Sequence, residues 1–309
     1  VVESKSNNNI RCLVTGATGF LGKHLTKKLE EQGFEIYISN TVKANLMSVE
    51  NLYIYNNIEF DYIFHLAAVT KAGDYCLTHP ADQWLSNQAI NTNILNYWKN
   101  KQPQAKMICM GTSCSYSPGT LMTEENYLLG EPEASLHTYA MTKRMLLLGL
   151  QALQKQYGLR WLYFIPSTLF GPGFELDDNH FIFDFIRNGH NTKEKGETWS
   201  LWGDGKQRRE LIYIEDAIDA MIELLSYDNE VFNLGSGQDY TINEFAQKVC
   251  EIYDYDFKLI EHDMTKYVGV KEKKIDTTKV ISYLKGKEFL KTPLQEGLKK
   301  SIKYFKENI

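Results

Sequence analysis

The sequence is short of the residues that would place it in several common classes. Cysteine occurs five times in 309 residues, at positions 12, 76, 109, 114 and 250. The number is odd, the positions are scattered, and no two are spaced like a zinc knuckle or a redox dithiol, so neither a disulfide framework nor a cysteine-held metal is expected. That usage points to a reducing compartment, the cytoplasm. No run of about eighteen apolar residues occurs, which leaves no candidate for a membrane-spanning helix. Positive charge is not in excess: 34 Lys and Arg stand against 39 Asp and Glu, for a net charge of -5. Such a balance has no electrostatic footprint for nucleic acid, and an anionic substrate has to be met by a few placed cations and backbone amides.

What is present is the composition of an ordinary globular protein, 43% hydrophobic and 24% charged. A chain of this length can bury roughly three quarters of its unfolded surface without staples. The first nine residues, VVESKSNNN, are polar, lack the apolar core of a signal peptide, and read as a disordered tail.

Residues 10–15, IRCLVT, are a short strand-forming run, followed by GATGFLG and the amphipathic KHLTKKLEEQG. Strand, glycine turn and helix follow one another. Gly16, Gly19 and Gly22 have a spacing that lets backbone amides and a helix N-terminus approach a pyrophosphate, although glycine turns before helices also arise for steric reasons alone. Their place after the first strand favours a dinucleotide, with Gly16, Gly19, Phe20, Leu21 and Gly22 as its cradle. The second strand, FEIYIS at 34–39, ends without the acidic residue that binds ribose hydroxyls and without an arginine for a 2'-phosphate. Ser39 and Asn40 are left to meet the ribose, and Lys43 is the cation close in sequence. NAD(H) is favoured, with NADP(H) still open.

FDYIFHLAA at 60–68 predicts a third strand ending in small residues that admit a cofactor, 80–100 a helix, and AKMICMGTS at 105–113 a fourth strand. A helix at 138–157 and a strand at 160–166 complete the pattern. Repeated strand and helix units imply an α/β fold, a doubly wound parallel (Rossmann) sheet whose ligands sit at the carboxyl ends of the strands. Leu46, Leu66, Ala67, Ala68 and Pro166 are accordingly expected to line the cofactor. Residues 10–171 with 213–234 are assigned to the dinucleotide-binding domain. Residues 172–212 with 235–309 are assigned to a smaller C-terminal α/β domain for the substrate, in which TWSLWG reads as a strand, DGKQ as a hairpin-like turn, and the region after 236 as mostly helical.

Tyr139 and Lys143 lie four residues apart in HTYAMTKRMLLLGL, one helical turn and one face. Alone, the pair is more often the mark of a surface or interface helix. With a dinucleotide alongside, a cation near a phenol brings it closer to the range of a general acid or base.

Taken together, the glycine turn, HLAA, GTSCSY, Tyr139 with Lys143, and FGPG resemble in order and distance the extended short-chain dehydrogenase/reductases, the nucleotide-sugar epimerase, dehydratase and reductase family. GTSCSYSP, TYAMTK, DNHFIFDFIRNG and LWGDGKQRREL are similar to the branch that epimerises and reduces GDP-4-keto-6-deoxy sugars. The resemblance implies that Thr112, Tyr139 and Lys143 form a redox triad and that Cys114 and His180 transfer protons. It further implies that Trp202 and Arg209, with Ser113, Asn179 and Arg187, contact the nucleotide sugar. Three departures bear on cofactor and sugar: Thr112 replaces the usual serine, Thr168 stands where asparagine is common, and the arginine after the second strand is missing. A dehydratase is disfavoured, because Ser113, Cys114 and Ser115 put no carboxylate beside the hydroxyl.

The expected activity is nicotinamide-dependent oxidoreduction at C4 of a GDP-activated sugar, with C3/C5 epimerisation. C4 dehydrogenation or C4 epimerisation, or a non-catalytic dinucleotide sensor, are the alternatives. Apolar residues on more than one face of the helices at 80–100 and 138–157 suggest a homodimer, which the resemblance also implies.

Overall fold

The computed structural model describes residues 10–71, 74–266 and 268–309. The polar tail expected at 1–9 lies outside the described residues. The first half of the chain forms β1 (Arg11–Thr15), α1 (Phe20–Glu31), β2 (Glu35–Ser39), β3 (Tyr62–His65), α2 (Asp74–Thr78), α3 (Pro80–Lys101), β4 (Lys106–Met110), α4 (His137–Tyr157), β5 (Trp161–Pro166) and β6 (Thr168–Phe170). The second half forms α5 (Phe181–Lys195), β7 (Ser200–Trp202), β8 (Arg208–Tyr213), α6 (Ile214–Glu223), β9 (Glu230–Leu234), β10 (Asp239–Thr241), α7 (Ile242–Tyr253), β11 (Glu261–Asp263), β12 (Glu272–Lys273), α8 (Thr278–Tyr283) and α9 (Leu294–Asn308).

A strand covered on both faces needs apolar side chains at every position, and β4 is buried along its whole length. Met107 and Cys109 point into one core with Trp98 of α3 and Leu146 and Leu150 of α4. Ile108 and Met110 point into the opposite core with Leu25 and Leu29 of α1 and Ile218 and Met221 of α6. The period of two sorts one strand between two layers, each fully buried side chain contributing about 1.5–3 kcal/mol. Lys106 is the polar exception. Its Nζ donates to the carbonyls of Leu225 (2.6 Å) and Tyr227 (2.9 Å) and pairs with Asp228 (2.7 Å).

The six-stranded sheet runs β2-β1-β3-β4-β5-β9 and is parallel throughout. The chain steps outward from β1 to β2 and then returns past β1 to β3, so strand order reverses between β1 and β3. The carboxyl ends there open a crevice, the usual ligand position in such sheets.

A second, smaller group of strands is centred on β8, with β6 and β12 parallel to it and β10 antiparallel. Its core is aromatic: Phe174 stacks on Phe183 at 4.1 Å, with Trp199, Phe245 and Phe305 buried around them. The hairpin expected at DGKQ does not form. Gly203 and Gly205 both take positive φ, the Asp204 carboxylate accepts the Lys206 N–H at 3.0 Å, and β7 pairs in parallel with β11. The region after 236 carries three short strands among its helices, and Val280, Leu284 and Phe289 pack into the α1 and α6 side of the main sheet.

Candidate active site

At the end of β1 the chain turns on Gly16, whose φ is +69°. A Cβ there would lie 2.7 Å from the Ala67 nitrogen, and one at Gly22 would lie 2.1 Å from the Gly16 carbonyl oxygen. Glycine is therefore required twice, once by φ and close approach and once by the packing of α1 on the turn. Gly19 is the N-cap of α1 and supplies no side-chain cap. The first-turn amides consequently face the crevice with the positive end of the helix dipole behind them, which fits a pyrophosphate.

The crevice is a cleft of about 520 Å³. Every residue expected at the cofactor lines it: Gly16, Gly19, Phe20, Leu21, Gly22, Ser39, Asn40, Leu46, Leu66, Ala67, Ala68, Pro166, Tyr139 and Lys143. So do Thr112, Ser113, Cys114 and His180. A larger hollow of about 660 Å³ lies near the starts of α7 and α9, lined in part by Phe170, Tyr240, Lys248 and Leu294. It holds none of the expected catalytic or cofactor residues, so the chemistry is sought in the smaller cleft.

The helix carrying Tyr139 and Lys143 is anchored from several sides. Arg144 is buried and donates to the carbonyls of Ser115 (2.9 Å), Gly130 (2.6 Å) and Leu129 (2.9 Å). The Tyr163 hydroxyl donates to the Lys143 carbonyl at 2.7 Å. A third tie starts at the glycine turn. Thr15 Oγ1 accepts the Ala67 N–H (3.2 Å) and lies 2.9 Å from His65 Nδ1, to which it donates when the imidazole is neutral. His65 Nε2 then donates to Asn91 Oδ1 (3.0 Å), and Asn91 donates to the Thr142 carbonyl (3.4 Å). The chain of donors requires a neutral imidazole, and burial, aided by the nearby Lys143 charge, pushes His65 down to about 4. His65 was read from the sequence only as the end of a strand; its two-sided role needs the tertiary contacts.

Lys143 Nζ lies 6.0 Å from the centre of the Tyr139 ring. The sequence reading expected the ammonium to draw the phenol down, and the structure differs. Burial dominates and pushes the Tyr139 phenol up, with the Cys114, Tyr127 and Cys76 groups acting the same way, while burial pushes Lys143 down to about 8. Tyr139 is thus held protonated, the form of an acid. Thr112 accepts the Cys114 N–H on its side-chain oxygen at 3.3 Å, which orients the turn leaving β4.

His180 stands before α5, and its Nδ1 and backbone nitrogen both lie within hydrogen-bonding distance of one Asp178 carboxylate oxygen, at 2.6 and 2.8 Å. Burial alone would lower the imidazole, but the Asp178 bond and charge outweigh it and hold His180 above its usual range. Burial alone would raise Asp178, but the His180 contacts hold it below the usual carboxylate range. Asp178 lines the cleft too. The sequence reading passed over it, although an acid two residues before a histidine was the available signal. In Asp178→Asn the two larger raising influences are lost, the smaller one from Asp184 and the burial remain, and the His180 titration midpoint should fall. Imidazole resonances followed by NMR against pH check this, and equal midpoints in the two proteins would refute the pairing.

The remaining expected substrate residues do not line the cleft. Asn179 is exposed. Arg187 donates to the carbonyls of Leu176 (2.9 Å) and Asp178 (2.6 Å) and pairs with Asp184, clamping the loop that carries His180. Trp202 is half exposed at the end of β7, with Lys266 over its ring at 5.7 Å. Arg209 donates to the carbonyls of Arg208, Val270 and Val268.

A doubly wound sheet with a glycine turn, an uncapped helix N-terminus and a Tyr-Lys helix at its switch point defines a nicotinamide-dependent oxidoreductase. The chain belongs to the NAD dependent epimerase/dehydratase family, whose sequence profile matches residues 12–235. It is an enzyme of the extended short-chain dehydrogenase/reductase type that uses NAD(P). Among similar proteins, the GDP-L-fucose synthase of Sinorhizobium fredii is 28% identical, over 97% of this chain and 96% of the relative. The GDP-L-colitose synthase of Yersinia pseudotuberculosis is 26% identical, over 96% and 98%. A solved GDP-mannoheptose C4 reductase from Campylobacter jejuni, with NADP bound, superposes with a TM-score of 0.84 at 21% identity, over 97% of this chain and 99% of that one. The motifs quoted above resemble GDP-L-fucose synthase in particular.

Replacing Gly22 by valine tests the fit of the dinucleotide to the turn. The added carbons meet backbone, so the turn must shift from its place beneath the pyrophosphate, and a shift that costs binding about 1–3 kcal/mol lowers dinucleotide affinity roughly 5- to 150-fold. Fluorescence titration with reduced cofactor measures it; unchanged affinity would place the pyrophosphate elsewhere.

Proposed function

We propose that the protein is a nicotinamide-dependent oxidoreductase acting at C4 of a GDP-activated sugar of the manno-hexose or heptose type. It works as a 4-keto reductase with C3/C5 epimerisation, in the manner of GDP-L-fucose synthase. The observation that carries this reading is that Cys114 and His180 share one cleft with Thr112, Tyr139 and Lys143. A ketone at C4 acidifies the hydrogens at C3 and C5, so a thiol and an imidazole beside the redox residues have work there. Cys114 and His180 remove and return protons on opposite faces of the ring. Tyr139 then donates its proton to the C4 oxygen, Thr112 orients that oxygen, and Lys143 holds the ribose. The bound nicotinamide supplies the hydride for C4.

Gly16, Gly19, Phe20, Leu21 and Gly22 cradle the pyrophosphate, Ser39, Asn40 and Leu46 meet the adenosine end, and Leu66, Ala67, Ala68 and Pro166 line the nicotinamide end. NAD(H) is the favoured cofactor. Asn40 accepts the N–H groups of Val42 (2.9 Å) and Lys43 (2.7 Å), closing a turn without arginine, and Lys43 Nζ lies 5.8 Å from the Tyr55 ring centre. NADP(H) is the second reading, favoured by the C. jejuni relative. In this scheme Ser113 and Asn179 approach the sugar, Trp202 stacks on guanine, Arg209 meets the diphosphate, and Arg187 holds the loop that carries His180. Residues 10–171 with 213–234 hold the dinucleotide, and 172–212 with 235–309 the nucleotide sugar. The exposed Trp84, Leu85, Met145 and Leu148 on α3 and α4 pair across a two-fold into a homodimer; light scattering that returned the mass of one chain would overturn that part.

Offered GDP-4-keto-6-deoxymannose and GDP-manno-sugars with each nicotinamide, the protein should change the absorbance of the reduced cofactor with at least one pair. The same residues run in reverse give the C4 dehydrogenase reading, which oxidised cofactor and a GDP-manno-sugar would reveal. Folded protein silent across the panel would leave the non-catalytic sensor as the better account.

A further inference from the structure

Beside the cleft stands an ion pair that the reading above does not use. Lys273, in β12, has its Nζ 3.2 Å from a carboxylate oxygen of Glu133 and donates to the Cys114 sulfur at 3.8 Å. The Lys273 side chain is 19% exposed and that of Glu133 10%, so water screens the pair little and each is the other's counter-ion. The lysine is set in place by strand register, since Lys273 lies opposite Arg209 on β8. Glu133 comes from the turn before α4, and Cys114 from the turn after β4. Tyr139 of α4 and Cys76 of α2 also lie near the sulfur, and burial keeps both protonated. The ammonium donates to the sulfur and is itself held in place by Glu133.

We infer that Lys273 is a positioning residue for Cys114: held by Glu133, its ammonium donates to the sulfur and aims it at the sugar carbon next to the ketone, from which the sulfur takes a proton. The sulfur lone pair forms the S–H bond, the C–H electron pair moves into the sugar enolate, and Lys273 and Glu133 exchange no proton. The inference rests on the reading of Cys114 as a proton-abstracting group, and it adds a partner to that residue from the far end of the chain.

Iodoacetamide labelling of Cys114, followed by peptide mass spectrometry on the full chain without substrate, tests the pairing apart from the sugar chemistry. Lys273→Met should slow labelling at pH 7 about ten-fold, because the sulfur loses the donor that aims it into the cleft, and Lys273→Arg, which keeps a donor there, should stay within roughly three-fold of the natural protein. Equal rates in the natural protein and Lys273→Met would overturn the inference. If Lys273→Met does not fold, judged by its melting curve, Lys273→Gln takes its place, with the same ten-fold slowing expected and a rate equal to that of the natural protein overturning the inference. Should ketosugar in heavy water gain no deuterium while Lys273→Met still slows labelling, the epimerisation reading fails and the lysine-thiol pairing stands.

Discussion

Tyr139→Phe should lower turnover about 10²- to 10⁴-fold, the range expected when a positioned acid is removed from a proton-coupled step. The change deletes one oxygen and leaves the ring. The α4 anchors act elsewhere, through the Lys143 and Thr142 carbonyls and the Arg144 guanidinium, so the helix should stay in place and dinucleotide affinity should stay within about three-fold. The phenol is lifted by burial, so the reduction should run with Tyr139 protonated across neutral pH, and its alkaline limb should reflect other groups first. Lys143, brought down to about 8, is the group on the page that titrates there. Steady-state oxidation of the reduced cofactor and a parallel binding titration separate the two effects. Turnover surviving in Tyr139→Phe would remove the phenol from the mechanism.

Cys114→Ala should abolish deuterium uptake at C3 or C5 of a 4-keto sugar, with a loss of roughly 10²- to 10⁴-fold in exchange rate. Hydride transfer to a ketosugar that needs no epimerisation should persist within about ten-fold, because Thr112, Tyr139 and Lys143 are untouched. The two variants therefore divide the proposed reaction: one stops reduction with exchange still running, the other stops exchange with reduction still running. Mass spectrometry of the recovered sugar reads the exchange directly. Equal uptake by the natural protein and Cys114→Ala would sink the assignment of the thiol.

The glycine turn and the Tyr-Lys helix were legible because each is local. A turn that needs positive φ at Gly16, and two side chains one helical turn apart, are written within seven residues or fewer. The parallel sheet was legible for a related reason, since strands buried on both faces announce themselves as short apolar runs. The hairpin reading of DGKQ failed because turn chemistry says where a chain reverses, not which strand receives it; β11 lies far along the sequence from β7. Lys273 was invisible because its partner Cys114 is 159 residues away. Arg187 shows the converse: its chemistry suits a diphosphate, yet the loop carbonyls of Leu176 and Asp178 engage it. The pH behaviour of Tyr139 depended on burial, which a residue pair alone does not encode.

Arg144 holds the turn after β4 to the helix that carries Tyr139 and Lys143 by bonding, among the described residues, to backbone oxygens, those of Ser115, Leu129 and Gly130. Leu129 supplies Arg144 with its carbonyl, whereas Ser115 also donates its hydroxyl to the Ala140 carbonyl of α4 at 3.1 Å and Gly130 takes a positive φ, so two of the three positions are constrained beyond their carbonyls. Exposed positions such as Leu121 and Leu129 can vary while the spacing between the β4 turn and Tyr139 is kept. Variation of this segment and preservation of that spacing are, in this fold, demands on different residues.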